Sequence, residues 1–337
     1  MKISRPSPRR RVCLTRWRRE TQLAVILGLA WITACVVIEY GSQRSLLVTK
    51  PLEMAWLMSY PNSGTTYTLS LVSGLSQTHT ASVYAKESER SGGEPLVRVF
   101  ADDLSSPYWV QSNPNATFPT RFVLTKTHCG NRENHLAPEA FLDGCRTITQ
   151  PVSARVRRRG RHSVEALRKA IHLIRDPFDN VVSRFRFERR HAEYAGYDPT
   201  PQGFRQYCEN HDDSRSLPRE LDLHQTQWKM LEDVPCRMEL IRYFQWHNMA
   251  FRTTRALGLE TMMLHYADYT TDFDGTVQRL LDFLELPQKA TPTPFIDGKV
   301  YRDYFTVDEQ RAVKEVYESM ASPEAKEEMS VYFESVS

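Results

Sequence analysis

Three short runs of polar residues in this 337-residue chain have the types and spacing that handle anions. The first is Y-P-N-S-G-T-T-Y, residues 60–67. Here Gly64 permits a tight turn around an oxyanion, and Ser63, Thr65 and Thr66 add hydroxyl donors where a helix is expected to begin. Asn62 adds a neutral amide donor and Tyr67 an aromatic face. The second run is L-T-K-T-H, residues 124–128, in which Lys126 supplies a cation and His128 a side chain that titrates near neutrality. The third is R-D-P-F-D-N-V-V-S, residues 175–183. It sets a guanidinium fork on Arg175 and a hydroxyl on Ser183 about two helical turns apart. The chain has no G-x-x-x-x-G-K-[ST], and Thr65 rather than Lys follows Gly64, so an ATPase or kinase would lack its phosphate-neutralising charge.

These runs need strands before them and helices after them. Met54–Ser59 reads as a strand entering the first run, with a helix from Thr66 to Ser76 leaving it. The segment 84–119 is turn-rich and reads as loop with a short strand over Leu96–Phe100. Arg121–Thr125 reads as the strand that ends at K-T-H, and Ala170–Ile174 as the strand that ends at Arg175. A helix then runs to about His191, with Pro177 in its first turn and Asp176 or Asp179 as local cap. Residues 237–257 read as a long helix and Thr261–His265 as a buried strand. Val277, Leu280, Leu281 and Leu284, at helical spacing within Asp274–Glu285, read as core packing. Alternating strands and helices predict an α/β domain with a central, mostly parallel sheet of about five strands, the polar runs lying at strand C-termini. The basic run Ala154–Arg161 reads as a solvated loop or as a dock for an anionic acceptor.

The first run resembles the 5′-phosphosulfate-binding loop of the PAPS-dependent sulfotransferase family, and the third resembles its 3′-phosphate-binding segment. L-T-K-T-H is similar to the K-T-H of the cytosolic sulfotransferases. The resemblance implies a P-loop-like fold and sulfuryl transfer from 3′-phosphoadenosine 5′-phosphosulfate (PAPS) to a hydroxyl, with His128 as general base and Lys126 steadying the transferring group. Such chemistry needs a base, donors that spread negative charge and in-line geometry; it needs no metal. G-K-V-Y-R-D-Y-F-T, residues 298–306, resembles the tail segment that closes over the 3′-phosphate, which implies roles there for Lys299 and Arg302. Y-F-Q-W-H-N and L-H-Y-A-D-Y are similar to core segments, the second with Ala267 where Glu is frequent. In all, the resemblance spans about residues 54–306. Asn62 departs from the usual loop Lys, which offsets leaving-group charge, and Tyr67 replaces the Trp that stacks on adenine. The 47 positions from His128 to Arg175 exceed the cytosolic spacing and are expected to shape acceptor choice. Two other readings compete. Asp272-Phe273-Asp274 is a D-x-D that could hold a metal-bound sugar nucleotide in a Golgi glycosyltransferase, and Asn62 would suit a PAPS-binding protein without turnover.

Charge places the chain in a cell. Residues 1–20 hold eight Lys/Arg and one acid, a charge of +7. Against +3 for the whole chain this leaves −4 for the body, which disfavours a nucleic-acid partner. Eighteen uncharged residues follow, about 27 Å as a helix, enough to cross a thin bilayer. No A-x-A site follows, so a signal anchor is preferred to a cleavable signal peptide. The basic flank predicts a cytoplasmic tail (1–20), a transmembrane anchor (21–40), a stem (41–53) and a lumenal domain (54–337), a type II Golgi protein. A lumenal domain points to a glycan or protein acceptor. Cys129, Cys145, Cys208 and Cys236 would then be oxidised; of three pairings the local ones, Cys129 with Cys145 and Cys208 with Cys236, are favoured. Asn115, in N-A-T, is the one glycosylation acceptor. N-glycosidase digestion of the cell-expressed protein is therefore expected to shift its band. An unshifted band together with a C-terminal tag open to protease in sealed microsomes would reverse the orientation.

Overall fold

The computed structural model describes residues 52–88, 96–111, 113, 115–129, 137–151, 157–213, 224–293, 295 and 300–336. The tail, the anchor, most of the stem and Lys299 lie outside the described residues. Among the described residues no helix is long and apolar enough to cross a membrane.

In chain order the elements are β1 (Glu53–Ser59), α1 (Thr65–Ser76), β2 (Thr80–Ser82), α2 (Ala85–Ser88), β3 (Tyr108–Val110), β4 (Phe122–Thr127) and α3 (Pro138–Arg146). There follow β5 (Thr147–Pro151), β6 (Arg157–Arg161), β7 (Leu167–Ile174), α4 (Pro177–Glu188), α5 (Pro201–Asp213), α6 (Gln225–Met230) and α7 (Arg237–Ala256). The chain continues with β8 (Glu260–His265), α8 (Asp268–Thr271), α9 (Phe273–Phe283), α10 (Val307–Met320) and α11 (Pro323–Met329).

E-M-A-W-L-M-S forms the central strand because it is uncharged after its first residue, and Met54–Ser59 are buried on both faces, as a strand covered by helices on each side must be. The sheet order is β3-β2-β4-β1-β7-β8, with β3 alone antiparallel. On one face α1, through Leu69, Val72 and Leu75, and α9, through Val277, Leu280 and Leu281, pack on Ala55, Leu57, Leu124, Ile171 and Leu173. The aliphatic residues expected to be core on α9 are core, Leu284 included. Truncating one of them to Ala costs about 2–5 kcal/mol in well-packed interiors.

The parallel α/β architecture matches expectation, and several details correct it. The main sheet has six strands rather than about five, and a separate two-stranded ribbon joins β5 to β6. Leu96–Phe100 is not a strand; Arg98 makes an isolated bridge to Tyr108. The segment expected to be loop contains α2 and β3 instead, because Y-W-V can pair with β2 although only three residues long. The basic run is not a loop throughout: residues 157–161 form β6. Its arginines carry no hydropathic alternation, so the pairing that makes it a strand was invisible.

Both local disulfides are present, Cys129–Cys145 and Cys208–Cys236. The second ties α5 to the N-cap of α7 across 28 residues. Closing a loop of that length stabilises by roughly 3–4 kcal/mol in the chain-entropy account. Replacing both Cys208 and Cys236 by Ser is expected to lower the Tm by roughly 5–10 °C in a calorimetric scan. An unchanged Tm would remove this bridge from the stability of the domain.

Candidate active site

Register brings the three polar runs together. β1 pairs parallel with β4, Met58 opposite Thr127, so the next residues, Ser59 and His128, emerge side by side. β1 also pairs parallel with β7, Ser59 opposite Leu173, which puts Arg175 at the same edge two residues on. All three runs leave the sheet at strand C-termini, where open α/β sheets bind ligands.

The loop from Tyr60 into α1 is held in a conformation ordinary residues resist. Asn62 (φ 69°) and Gly64 (φ 102°) are both left-handed, a region Asn tolerates and Gly enters freely. At Gly64 a second constraint operates: a Cβ would stand 2.4 Å from Cε2 of Tyr266. Gly64 is also the N-cap of α1, yet no side chain caps this helix and its first turn holds no acid. Its first-turn N–H groups therefore keep their positive end of the helix dipole uncompensated, which suits an anion.

Side chains from α4 and the end of β7 grip the loop. Arg175 Nη1 donates to the carbonyl of Asn62 at 2.9 Å, while Asn180 Nδ2 donates to the Pro61 carbonyl and to Ser63 Oγ, each at 3.0 Å. Ser59 Oγ and Thr65 Oγ1 are 2.6 Å apart, closing the loop on itself. Arg175 is 7% exposed, its guanidinium carbon 4.6 Å from the Tyr266 ring centroid, and its Nε is buried with no hydrogen-bond partner. A buried cationic donor left unpaired is costly unless an anion completes it, so the site fits a phosphate group on an observation of its own. Ser183, half-buried, lies one turn beyond Asn180 on the same side of α4.

Arg175 is free for this because its acidic neighbours are engaged elsewhere. Of the two candidate caps, Asp176 is the one that caps α4, accepting from the N–H of Phe178 (2.8 Å) and Asp179 (3.2 Å), and it pairs with Arg302 Nη2 at 2.9 Å. Asp179 accepts from the Tyr301 N–H at 2.6 Å; burial, and then the neighbouring Asp176 carboxylate, push its pKa up to about 6. Arg302 thus stands at the N-terminus of α4, beside the anion site, through Asp176.

At the end of β4, Lys126 forms an ion pair with Glu87 on α2, and Glu87 also accepts from the Ser82 hydroxyl. The Lys126 ammonium lies 5.8 Å from the Tyr84 ring centroid. His128 Nδ1 is 2.8 Å from the Ser59 carbonyl. A carbonyl only accepts, so Nδ1 carries the proton and Nε2 holds the lone pair. Burial, then the Lys126 charge, lower the His128 pKa to about 3, so the ring is neutral throughout the physiological range. Its backbone is fixed from both sides, by Trp246 Nε1 donating to its carbonyl (3.1 Å) and by its own N–H donating to the Tyr84 hydroxyl (3.3 Å).

Two further sequence-predicted positions sit in defined surroundings. Tyr67 does not stand free; it is half-buried and edge-on to Tyr269 (5.0 Å) and Phe295 (4.9 Å). Asp272 is the N-cap of α9, accepting from the Gly275 N–H at 3.2 Å, and Asp274 is exposed in that first turn, so helix capping accounts for the D-x-D. Among the described residues no cluster of His, Cys, Asp or Glu is arranged to hold a metal. Asn180, Tyr84 and Tyr266 had no assigned role in the sequence reading. Asn180 lies inside a run read for Arg175, Ser183 and the helix start; Tyr84 lies in a stretch without periodicity.

The sulfotransferase domain family matches residues 52–298 of the 337. The crystal structure of a sulfotransferase from Alicyclobacillus acidocaldarius aligns over 85% of this chain and 99% of its own, at 9% identity and a TM-score of 0.44. The sulfotransferase domain from the curacin biosynthetic pathway aligns over 84% and 96%, at 14% identity and a TM-score of 0.33. No curated protein matches. With the family match covering most of the chain, and all three anion-handling runs lying inside it, this protein belongs to the sulfotransferase domain family.

Proposed function

We propose that the protein transfers the sulfuryl group of PAPS to a hydroxyl of a glycan or protein acceptor, and that it does so in the Golgi lumen as a type II membrane protein. The observation that carries this is the meeting, at one edge of the sheet, of an uncapped helix N-terminus, a buried unpaired arginine donor and a neutral histidine fixed in one tautomer. The two disulfides support an oxidising compartment, and the basic leader before an uncharged span supports the orientation. Exposed Asn115 is open to glycosylation there.

PAPS, when bound, supplies an activated sulfuryl group and a phosphate leaving group. Ser63, Gly64, Thr65 and Thr66 would hold its 5′ side with backbone and hydroxyl donors, and Asn62 would donate a neutral hydrogen bond near the leaving oxygen. Arg175 and Ser183 would bind the 3′-phosphate, with Arg302 within reach and Lys299 as a further cation. Tyr67 would border the adenine. His128 Nε2 takes the acceptor's proton, while the Ser59 carbonyl holds Nδ1–H and steadies the ring as charge develops. Lys126 offers positive charge to the transferring group.

A second reading of the base rests on the Lys126–Glu87 pair. A histidine whose pKa is lowered to about 3 is available but weak, and Glu87 is a carboxylate held beside the same lysine. Substitution separates the two. His128→Ala is expected to lower kcat by about 10²–10⁴ while the affinity for adenosine 3′,5′-bisphosphate stays unchanged, and Glu87→Gln to lower kcat by less than about tenfold. The opposite pattern would make Glu87 the base. Arg175→Ala is expected to weaken adenosine 3′,5′-bisphosphate by roughly ten- to a hundredfold in calorimetry, the worth of a charge-assisted pair. Equal affinity would move the 3′-phosphate site away from β7.

A further inference from the structure

We infer that the β5–β6 ribbon is the docking surface for an acidic glycan acceptor, so that the sugar chain to be sulfated already bears carboxylates or sulfates. This rests on the sulfotransferase reading and deepens it by naming the acceptor class.

The charge is concentrated and unopposed in sequence. Residues 144–164 contain six arginines and no Asp or Glu, on a body whose net charge is −4. Pairing then sorts these residues by face. β5 and β6 are antiparallel, with Ile148 opposite Gly160, Thr149 opposite Arg159 and Thr147 opposite Arg161. Ile148 is 1% exposed in a cluster with Val83, Ala85 and Tyr108, and Gly160 lies so close to the backbone at Ser105 that a Cβ would approach it to 3.2 Å. That face is covered. Alternation along a strand sends Arg159 and Arg161 to the opposite face, and both are exposed. Asp143 pairs with Arg161 at 3.0 Å; Arg159 has no ion-pair partner among the described residues.

Position links this face to the chemistry. Thr149 donates its N–H to the Val83 carbonyl at 3.1 Å and bridges to Tyr84. The Tyr84 hydroxyl in turn accepts from the His128 N–H. Arg159 is thus two strand spacings from Tyr84, about 10 Å. A ligand presenting a hydroxyl to His128 and extending a few sugar rings reaches it. Guanidinium groups match carboxylate and sulfate oxygens in pairs, and Thr147 and Thr149 between them are small and polar. Charges on an edge strand also discourage strand-to-strand aggregation, but one or two suffice for that. Membrane-surface binding would call for large apolar side chains on the same face, and the pairs Thr147–Arg161 and Thr149–Arg159 supply none.

The test uses the full-length protein and the double variant Arg159→Ala, Arg161→Ala. A heparin-derived hexasaccharide serves as acidic probe, with its desulfated, carboxyl-reduced counterpart as neutral control. The variant is expected to bind the acidic probe about tenfold more weakly and with a shallower salt dependence, with affinity for adenosine 3′,5′-bisphosphate unchanged. Its KM should rise for acidic acceptors and not for neutral ones, with kcat retained. The matching double Lys variant should recover part of the loss, because it keeps the charge without the fork. Equal binding by variant and wild type, or a wild type that ignores the acidic probe, overturns the docking surface. So does a loss confined to phosphatidylserine vesicles, which would assign the ribbon to a membrane. Failure of the wild type to transfer sulfuryl to any acceptor would remove the sulfotransferase reading, while the binding measurements still decide the ribbon's partner.

Discussion

The parallel register of one strand governs everything else in this domain. β1 lies between β4 and β7, and its pairing with each fixes which residues leave the sheet together. A one-residue slip of either pairing would reverse the facing of every side chain along that strand and carry its terminal residue away from Ser59. Both faces of β1 are buried, so slippage would expose apolar surface or bury charge, and the register is strongly held. The site inherits its accuracy from the core.

The loop that follows β1 is the strained part, and a second layer of contacts supports it. Two left-handed positions, 62 and 64, flank Ser63, which Asn180 holds from α4. Tyr60, at the loop's start, donates its hydroxyl to Glu239 at 3.1 Å. That buried glutamate is also approached by Arg184 (3.6 Å) and Arg242 (3.5 Å), which offset its charge. A carboxylate in such a place is tolerated only when paired, so the interaction serves geometry more than net stability. The consequence is a loop whose carbonyls are occupied by the protein and whose N–H groups point to what α1 leaves uncapped.

Asn62 fits this picture physically. The left-handed backbone at this position suits Asn, whose short side chain makes that region accessible. With Asn at this position the loop itself contributes no cation, and Lys126 and Arg175 stand at the neighbouring strand ends. Lys126 is already balanced by Glu87, so the resting site carries less free positive charge than its arginine and lysine content suggests.

Local chemistry was legible wherever a short run had to do one thing. Gly64 before a helix start, Pro177 and Asp176 at another, and the apolar spacing of α9 each act within a few residues, so their types alone predicted loop, cap and core. The strands Met54–Ser59, Ala170–Ile174 and Thr261–His265 were readable as apolar runs, each extended by one to three residues in the structure, but the last, expected to be buried, is the edge strand β8 with only Leu264 buried. What no run contains is a partner. β3 and β6 are strands only because another strand pairs with them, and R-R-R-G-R has no hydropathic pattern of its own. The same holds for the site. Sequence could place His128 and Arg175 at strand ends, but whether Arg175 meets Asp176 or the Asn62 carbonyl, which nitrogen of His128 carries the proton, and that Glu87 reaches Lys126 all depend on groups 39 to 113 positions apart. Such contacts arise from the sheet register and helix packing, so only the tertiary structure could decide them.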